Sequence, residues 1–89
     1  MKAPTNQTAE VLYELIKYGE ITRRSIMSDC GILNLTARIA DLRLRHGLSI
    51  ICTKIQTKNK HNRAITYGCW SLENKKIAKE VYEKINLRK

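Results

Sequence analysis

The sequence predicts an α+β domain, mainly α, with three helices, a β-hairpin and a further helix in that order. Three observations predict it. Apolar residues recur at helical spacing in stretches divided by Gly19, Gly31 and Gly47. From Ser49 the pattern changes to β-branched residues, interrupted by the polar, basic run 58–62. Beyond Ser71 the helical spacing returns.

Thr5 or Asn6 can cap the first helix, with Pro4 as a stop before it. Val11, Leu12, Leu15 and Ile16 form its stripe, and Glu10, Glu14 and Lys17 lie off that stripe. Gly19 offers the left-handed conformation after Tyr18, and Glu20-Ile21 has room for only a very short extended piece. Thr22 opens a second helix whose apolar face is Ile26, Met27 and Cys30. Arg23 and Arg24 sit in its first turn, where two cations conflict with the positive end of the helix dipole. An anion bound there removes the conflict. Gly31 breaks this helix. Asn34 caps a third, with Leu35, Ile39 and Leu42 on one face. Gly47 ends it after Arg43, Arg45 and His46 bring positive charge to its last turn.

Residues 50–57 and 63–70 read as the strands of a hairpin. Pairing Thr57 with Arg63 sets Ile51, Thr53 and Ile55 opposite Cys69, Tyr67 and Ile65, which makes one face mostly apolar and suited to the core. The other face then carries Cys52, Lys54 and Gln56 with Ala64, Thr66 and Gly68. Cys52 and Cys69 face opposite sides in this register, so no disulfide is expected between them. Ser71 is expected to cap a last helix running to about Leu87. Its apolar stripe is Ile77, Val81 and Ile85, flanked by Ala78 and Tyr82, and its outer face is lysine-rich. The stripe either packs on the first helix or forms a homodimer seam. Packing within the monomer is the expected use, because a small domain needs that area for its own core.

Three helices followed by a basic hairpin is the winged helix-turn-helix arrangement. The 89 residues suit a single domain, with a core module over 5–70 and an additional C-terminal helix over 71–87. Seventeen Lys+Arg against eight Asp+Glu give a formal charge of +9, a field that attracts nucleic acid, acidic membrane or an acidic protein. Between residues 22 and 65 the acids are Asp29 and Asp41, against Arg23, Arg24, Arg38, Arg43, Arg45, Lys54, Lys58, Lys60 and Arg63. No apolar run approaches the roughly 18 residues of a membrane span. The N-terminal residues lack the apolar stretch of a signal peptide, so a cytoplasmic protein is expected. Cys30, Cys52 and Cys69 show no CxxC spacing and read as free thiols. His46 and His61 lie far apart, no glycine-rich phosphate loop occurs, and no nucleophile–base–carboxylate set stands out. Catalysis, a bound metal, a cofactor and a small-molecule ligand are therefore not expected.

Ile21-Thr22, then Asp29-Cys30-Gly31-Ile32, then Leu35-Thr36-Ala37-Arg38-Ile39-Ala40-Asp41-Leu42-Arg43 and Gly47 carry a further signal. This text resembles a family of small winged helix-turn-helix domains frequent in bacteriophages and other mobile elements. The similarity spans residues 7 to 72, and the A-R-I-x-D-L-R segment followed by Gly47 is its most specific part. Cys30 stands where the family usually has Leu, and Thr36 where it usually has Ala. The helix after Leu72 goes beyond the common module. The resemblance implies DNA binding, and with it a transcriptional regulator of a phage or mobile element.

In a helix-turn-helix the second helix of the motif enters the major groove, N-terminal end first. Here that is the 34–46 helix. With Leu35, Ile39 and Leu42 inward, its outward arc holds Thr36, Ala37, Ala40, Arg43 and Leu44, and Arg38, Asp41 and Arg45 fall on one flank. Asn34, Thr36 and Ala37 lead toward base edges, where Asn pairs with adenine and Thr or Ala touches a thymine methyl. The competing role for Asn34 is capping alone. Arg38 either contacts DNA or pairs with Asp41 at i+3, the pairing being slightly favoured. Arg23 and Arg24 are placed for phosphate contacts. Lys58, Lys60, His61 and Arg63, with Asn59 and Asn62, form a wing for the backbone or minor groove. Sequence-specific or architectural binding of double-stranded DNA is the expected function. The alternative is a protein-binding adaptor, or an inhibitor of a host complex, on the same scaffold. RNA fits less well, because Tyr13, Tyr18, Tyr67, Trp70 and Tyr82 are scattered and form no stacking platform.

Overall fold

Asn6 starts the first helix: its Oδ1 accepts a hydrogen bond from the Ala9 N–H at 2.8 Å, and α1 runs Gln7–Tyr18. The structure is a computed structural model, and it describes residues 3–87. After α1 come β1 (Glu20–Thr22), α2 (Arg23–Cys30), α3 (Leu35–Leu44), β2 (Ile50–Lys58), β3 (Ala64–Leu72) and α4 (Lys75–Leu87). The described residues thus form an α+β fold with four helices and a three-stranded antiparallel sheet, ordered β1-β3-β2.

Val11, Leu12, Leu15 and Ile16 are all buried, as the stripe of α1 predicts. They meet Ile26 of α2, Leu35, Ile39 and Leu42 of α3, Ile50 of β2, and Ala78, Tyr82 and Ile85 of α4 in one core. Met27 departs from the expected apolar face of α2 and is exposed. An eight-residue helix turns too little surface inward to cover it. No helix among the described residues is long and apolar enough to cross a membrane.

The hairpin register corrects the expected one by two residues: Thr57 pairs with Ile65, and Ile50 with Leu72. A shift of two keeps every side chain on its face. The cause lies partly at the tip, where a five-residue turn separates the strands. Asn59 Oδ1 accepts from the His61 and Arg63 N–H groups at 2.9 and 3.0 Å. At the root, β1 pairs Glu20, Ile21 and Thr22 with Ser71, Trp70 and Cys69, which draws Ser71 and Leu72 into the strand.

The core face is also the opposite of the expected one. Ile50, Trp70, Leu72 and Ile21 turn inward, because Ile21 lies across from Trp70 and both join the core. Ile51 and Tyr67, on the other face, are 47% and 42% exposed. Cys52 and Cys69 do lie on opposite faces, paired with Trp70 and Thr53 respectively. All three cysteines are free. Burial and the neighbouring Glu14 carboxylate push the Cys30 thiol up to about 11, so it stays protonated at neutral pH.

Ser71 does not cap α4. Asn74 takes that position, with Oδ1 accepting from the Lys76 and Ile77 N–H groups at 3.0 and 3.2 Å. The buried stripe of α4 is Ala78, Tyr82 and Ile85, with Val81 partly buried and Ile77 48% exposed. The Tyr82 ring sits 5.8 Å from that of Tyr13, so α4 packs on α1 as the monomer reading expects. Of the alternative dimer seam, Ile77 is exposed, Val81 half-buried and Ile85 buried. The radius of gyration is 13.7 Å, against about 12 Å for a compact chain of this length. The long axis measures 46 Å, because the hairpin projects beyond the helices.

Candidate nucleic-acid interface

The turn between α2 and α3 fixes how α3 faces solvent. Thr22 and Ser25 form a reciprocal cap at the start of α2, with bonds of 3.1 and 3.0 Å. Gly31 closes α2 at φ +68°, a backbone that a Cβ would strain, and its N–H donates to the Met27 carbonyl at 3.0 Å. Ile32 is buried directly after it and anchors the turn. Leu35, Ile39 and Leu42 are buried in turn, which holds the opposite side of α3 outward. At the far end the Leu48 N–H reaches back to the Leu42 carbonyl at 3.1 Å, around Gly47 at φ +64°.

The outward side is open. Asn34, Thr36 and Arg43 are exposed, Ala37 and Ala40 are half-buried, and Leu44 is 85% exposed. Asn34 occupies the N-cap position, yet its side chain makes no capping bond, so the amide is not used up there. Arg23 Nη2 donates to Thr36 Oγ1 at 3.0 Å and joins the start of α2 to the leading end of α3. Arg24 is exposed beside it in sequence.

Two arginines serve the fold. Arg38 Nη2 lies 3.5 Å from Asp41 Oδ2, the i,i+3 pair that the spacing suggests, and its Nε is buried without a partner. Asp41 also sits 3.9 Å from Arg45 Nε and accepts from Thr8 Oγ1 at 3.5 Å, which ties α3 to α1. Arg43 Nη2 donates to the Ile50 carbonyl at 2.6 Å, and so holds the end of α3 against the root of β2. That contact gives Arg43 a positioning role that its place on the outward arc did not suggest.

Lys58, Lys60, His61, Asn62 and Arg63 are all exposed at the hairpin tip. Asn62 adopts φ +64°, which Asn tolerates better than most residues. At about 3.3 Å per residue, the tip stands roughly 26 Å from Ile50. The structure therefore brings Arg23, Asn34 and Thr36 to one end of α3 and leaves the tip cations on a separate arm. Lys54 and Gln56 were not among the expected contacts. They are exposed on the Trp70 side of the hairpin, between its root and its tip. The strand alternation already places both on the face with Cys52.

Behind this surface, an open cleft of about 520 Å³ separates the start of α1, the end of α3 and α4, with Arg45, His46 and Lys84 beside Asp41. Among the described residues no three His, Cys, Asp or Glu side chains gather as metal ligands would. No protein-family profile, curated protein or solved structure matches the chain.

Proposed function

We propose that the chain is a winged helix-turn-helix protein that binds double-stranded DNA, with α3 in the major groove and the β2–β3 tip on the backbone or in the minor groove. The observation that carries this reading is the uncovered outer side of α3, at whose leading end Arg23 is held against Thr36. A small, polar leading end lets a helix approach base edges, and a guanidinium beside it meets the flanking phosphate. The element order and the β1-β3-β2 sheet are those expected of a winged helix.

In this reading Asn34, Thr36 and Ala37 face bases, and Arg23 and Arg24 face phosphates. Lys58, Lys60, His61, Asn62 and Arg63 hold the wing on the duplex, with Lys54 extending that cationic track. Arg38 and Arg43 orient α3. The protein has no catalytic step of its own and acts in the cytoplasm as a regulator of transcription for a phage or mobile element.

Competition at low salt tests the nucleic-acid class. A labelled duplex bound to the protein is expected to be displaced by unlabelled duplex at far lower concentration than by single-stranded DNA or RNA. Preferential displacement by either single strand would remove the groove-binding reading.

A further inference from the structure

Apart from Arg63 at its tip, the outer face of the hairpin has no use in the DNA-binding proposal. Ile51, Thr53, Ile55 and Thr57 of β2 share it with Ile65 and Tyr67 of β3. Ile55 lies opposite Tyr67, and Thr57 opposite Ile65, so apolar atoms run along both strands. Ile51 at the root of this strip and Tyr67 at its middle stand 47% and 42% exposed. Isolated exposed apolar residues are ordinary, but a continuous strip on a sheet is not.

The ends of the strip carry opposite charge. Glu20 sits at the root: β1 places it across from Ser71, on the same face as Ile51, and its Oε2 accepts from Cys69 Sγ at 3.5 Å. Arg63 precedes β3 at the tip, on the alternation of Ile65 and Tyr67. Between them the face holds only Ile, Thr, Tyr, Ser and Cys side chains.

We infer that this face is the contact between two copies of the chain, packed face to face with their hairpins antiparallel about a two-fold axis near Ile55 and Tyr67. Such an axis makes the contact self-complementary, because each pairing occurs twice. Ile55 is four residues from Ile51 and four from Asn59, so the tip of one copy reaches the root of the other. Arg63 of each copy then meets Glu20 of its mate, and the isoleucines and Tyr67 close the middle. An unrelated acidic partner is better served by the opposite face, where Lys54 and Lys58 stand.

The size of the strip sets the strength. Each strand has nine residues, about 30 Å in length, and two strands are about 10 Å across. Two such faces together cover only about 600 Å², below the roughly 1,000 Å² of a stable specific interface. The dimer is therefore weak and reversible. Lys54 and Lys58 point away from it and stay available to a polyanion, and the inference does not depend on the DNA reading.

Sedimentation equilibrium of the full chain without DNA tests it, over about 1 to 500 µM, the span in which an interface of this size associates. The wild-type chain is expected to dimerise within that range. Ile51→Glu should weaken the dimer by about tenfold or more, because a buried unpaired carboxylate replaces an apolar contact. Tyr67→Glu on the other strand serves the same purpose should Ile51→Glu fail to give a native spectrum. Glu20→Arg and Arg63→Glu should each weaken the dimer, and the double exchange should recover it. A wild-type chain monomeric throughout, a dimer indifferent to both glutamate variants, or a double exchange no better than its parents would overturn the proposal.

Discussion

Replacing Lys58, Lys60 and Arg63 together with alanine is expected to weaken duplex binding by about a hundred- to a thousandfold near 0.1 M salt. All three side chains are exposed, and the turn that carries them is held by Asn59 and the backbone, so the fold should not change. Each phosphate contact releases counterions and contributes a log–log salt slope of about −0.9. Losing three contacts should therefore flatten the slope by roughly 3 units and lower affinity evenly across sequences. Fluorescence anisotropy at several salt concentrations checks both quantities. It is best done at nanomolar protein, where Arg63 does not also act through self-association. An unchanged slope would mean that the tip touches no phosphate.

The second large effect is on stability. Tyr82→Ala should destabilise the protein by about 3 to 4 kcal/mol, because it removes one of the largest fully buried side chains and opens a cavity against α1. For a domain of this size that is a large share of a total of about 5 to 10 kcal/mol, and corresponds to a fall in Tm of roughly 15 to 20 °C. Ile77→Ala, one turn away on α4 but 48% exposed, should cost no more than about 0.5 kcal/mol. Thermal unfolding of the two variants separates the packed face of α4 from its open one. Equal losses would show that α4 meets α1 through a different stripe.

The helical part of the fold was legible because its signals are local. Asn6, Thr22, Gly31 and Gly47 act on backbone groups within a few residues, and the stripes Val11–Leu12–Leu15–Ile16 and Leu35–Ile39–Leu42 need only the helical period. What escaped depends on distant partners. The inward face of the hairpin is set by Ile21 pairing with Trp70. Most of the hairpin lies beyond the helices, so its alternation reports burial only near the root, at Ile50 and Cys69. The apolar row expected to face the core leaves Ile51 and Tyr67 exposed instead. The start of α4 was misplaced for the same reason, since Ser71 is drawn into β3 by β1. At the candidate interface, exposure was predictable from the inward residues of α3, whereas the Arg43 bond to Ile50 and the Arg23 bond to Thr36 were not. Both join residues that no periodicity relates.

The proposed DNA binding requires the outer side of α3 to meet a duplex together with the hairpin tip. An NMR titration of the isotope-labelled protein with a short duplex tests it most directly. Amide shifts concentrated at residues 34–44 and 58–63, with Arg23 and Arg24 alongside, are the predicted result. Shifts confined to α4 or to the outer face of the hairpin, or none at low salt, would contradict it.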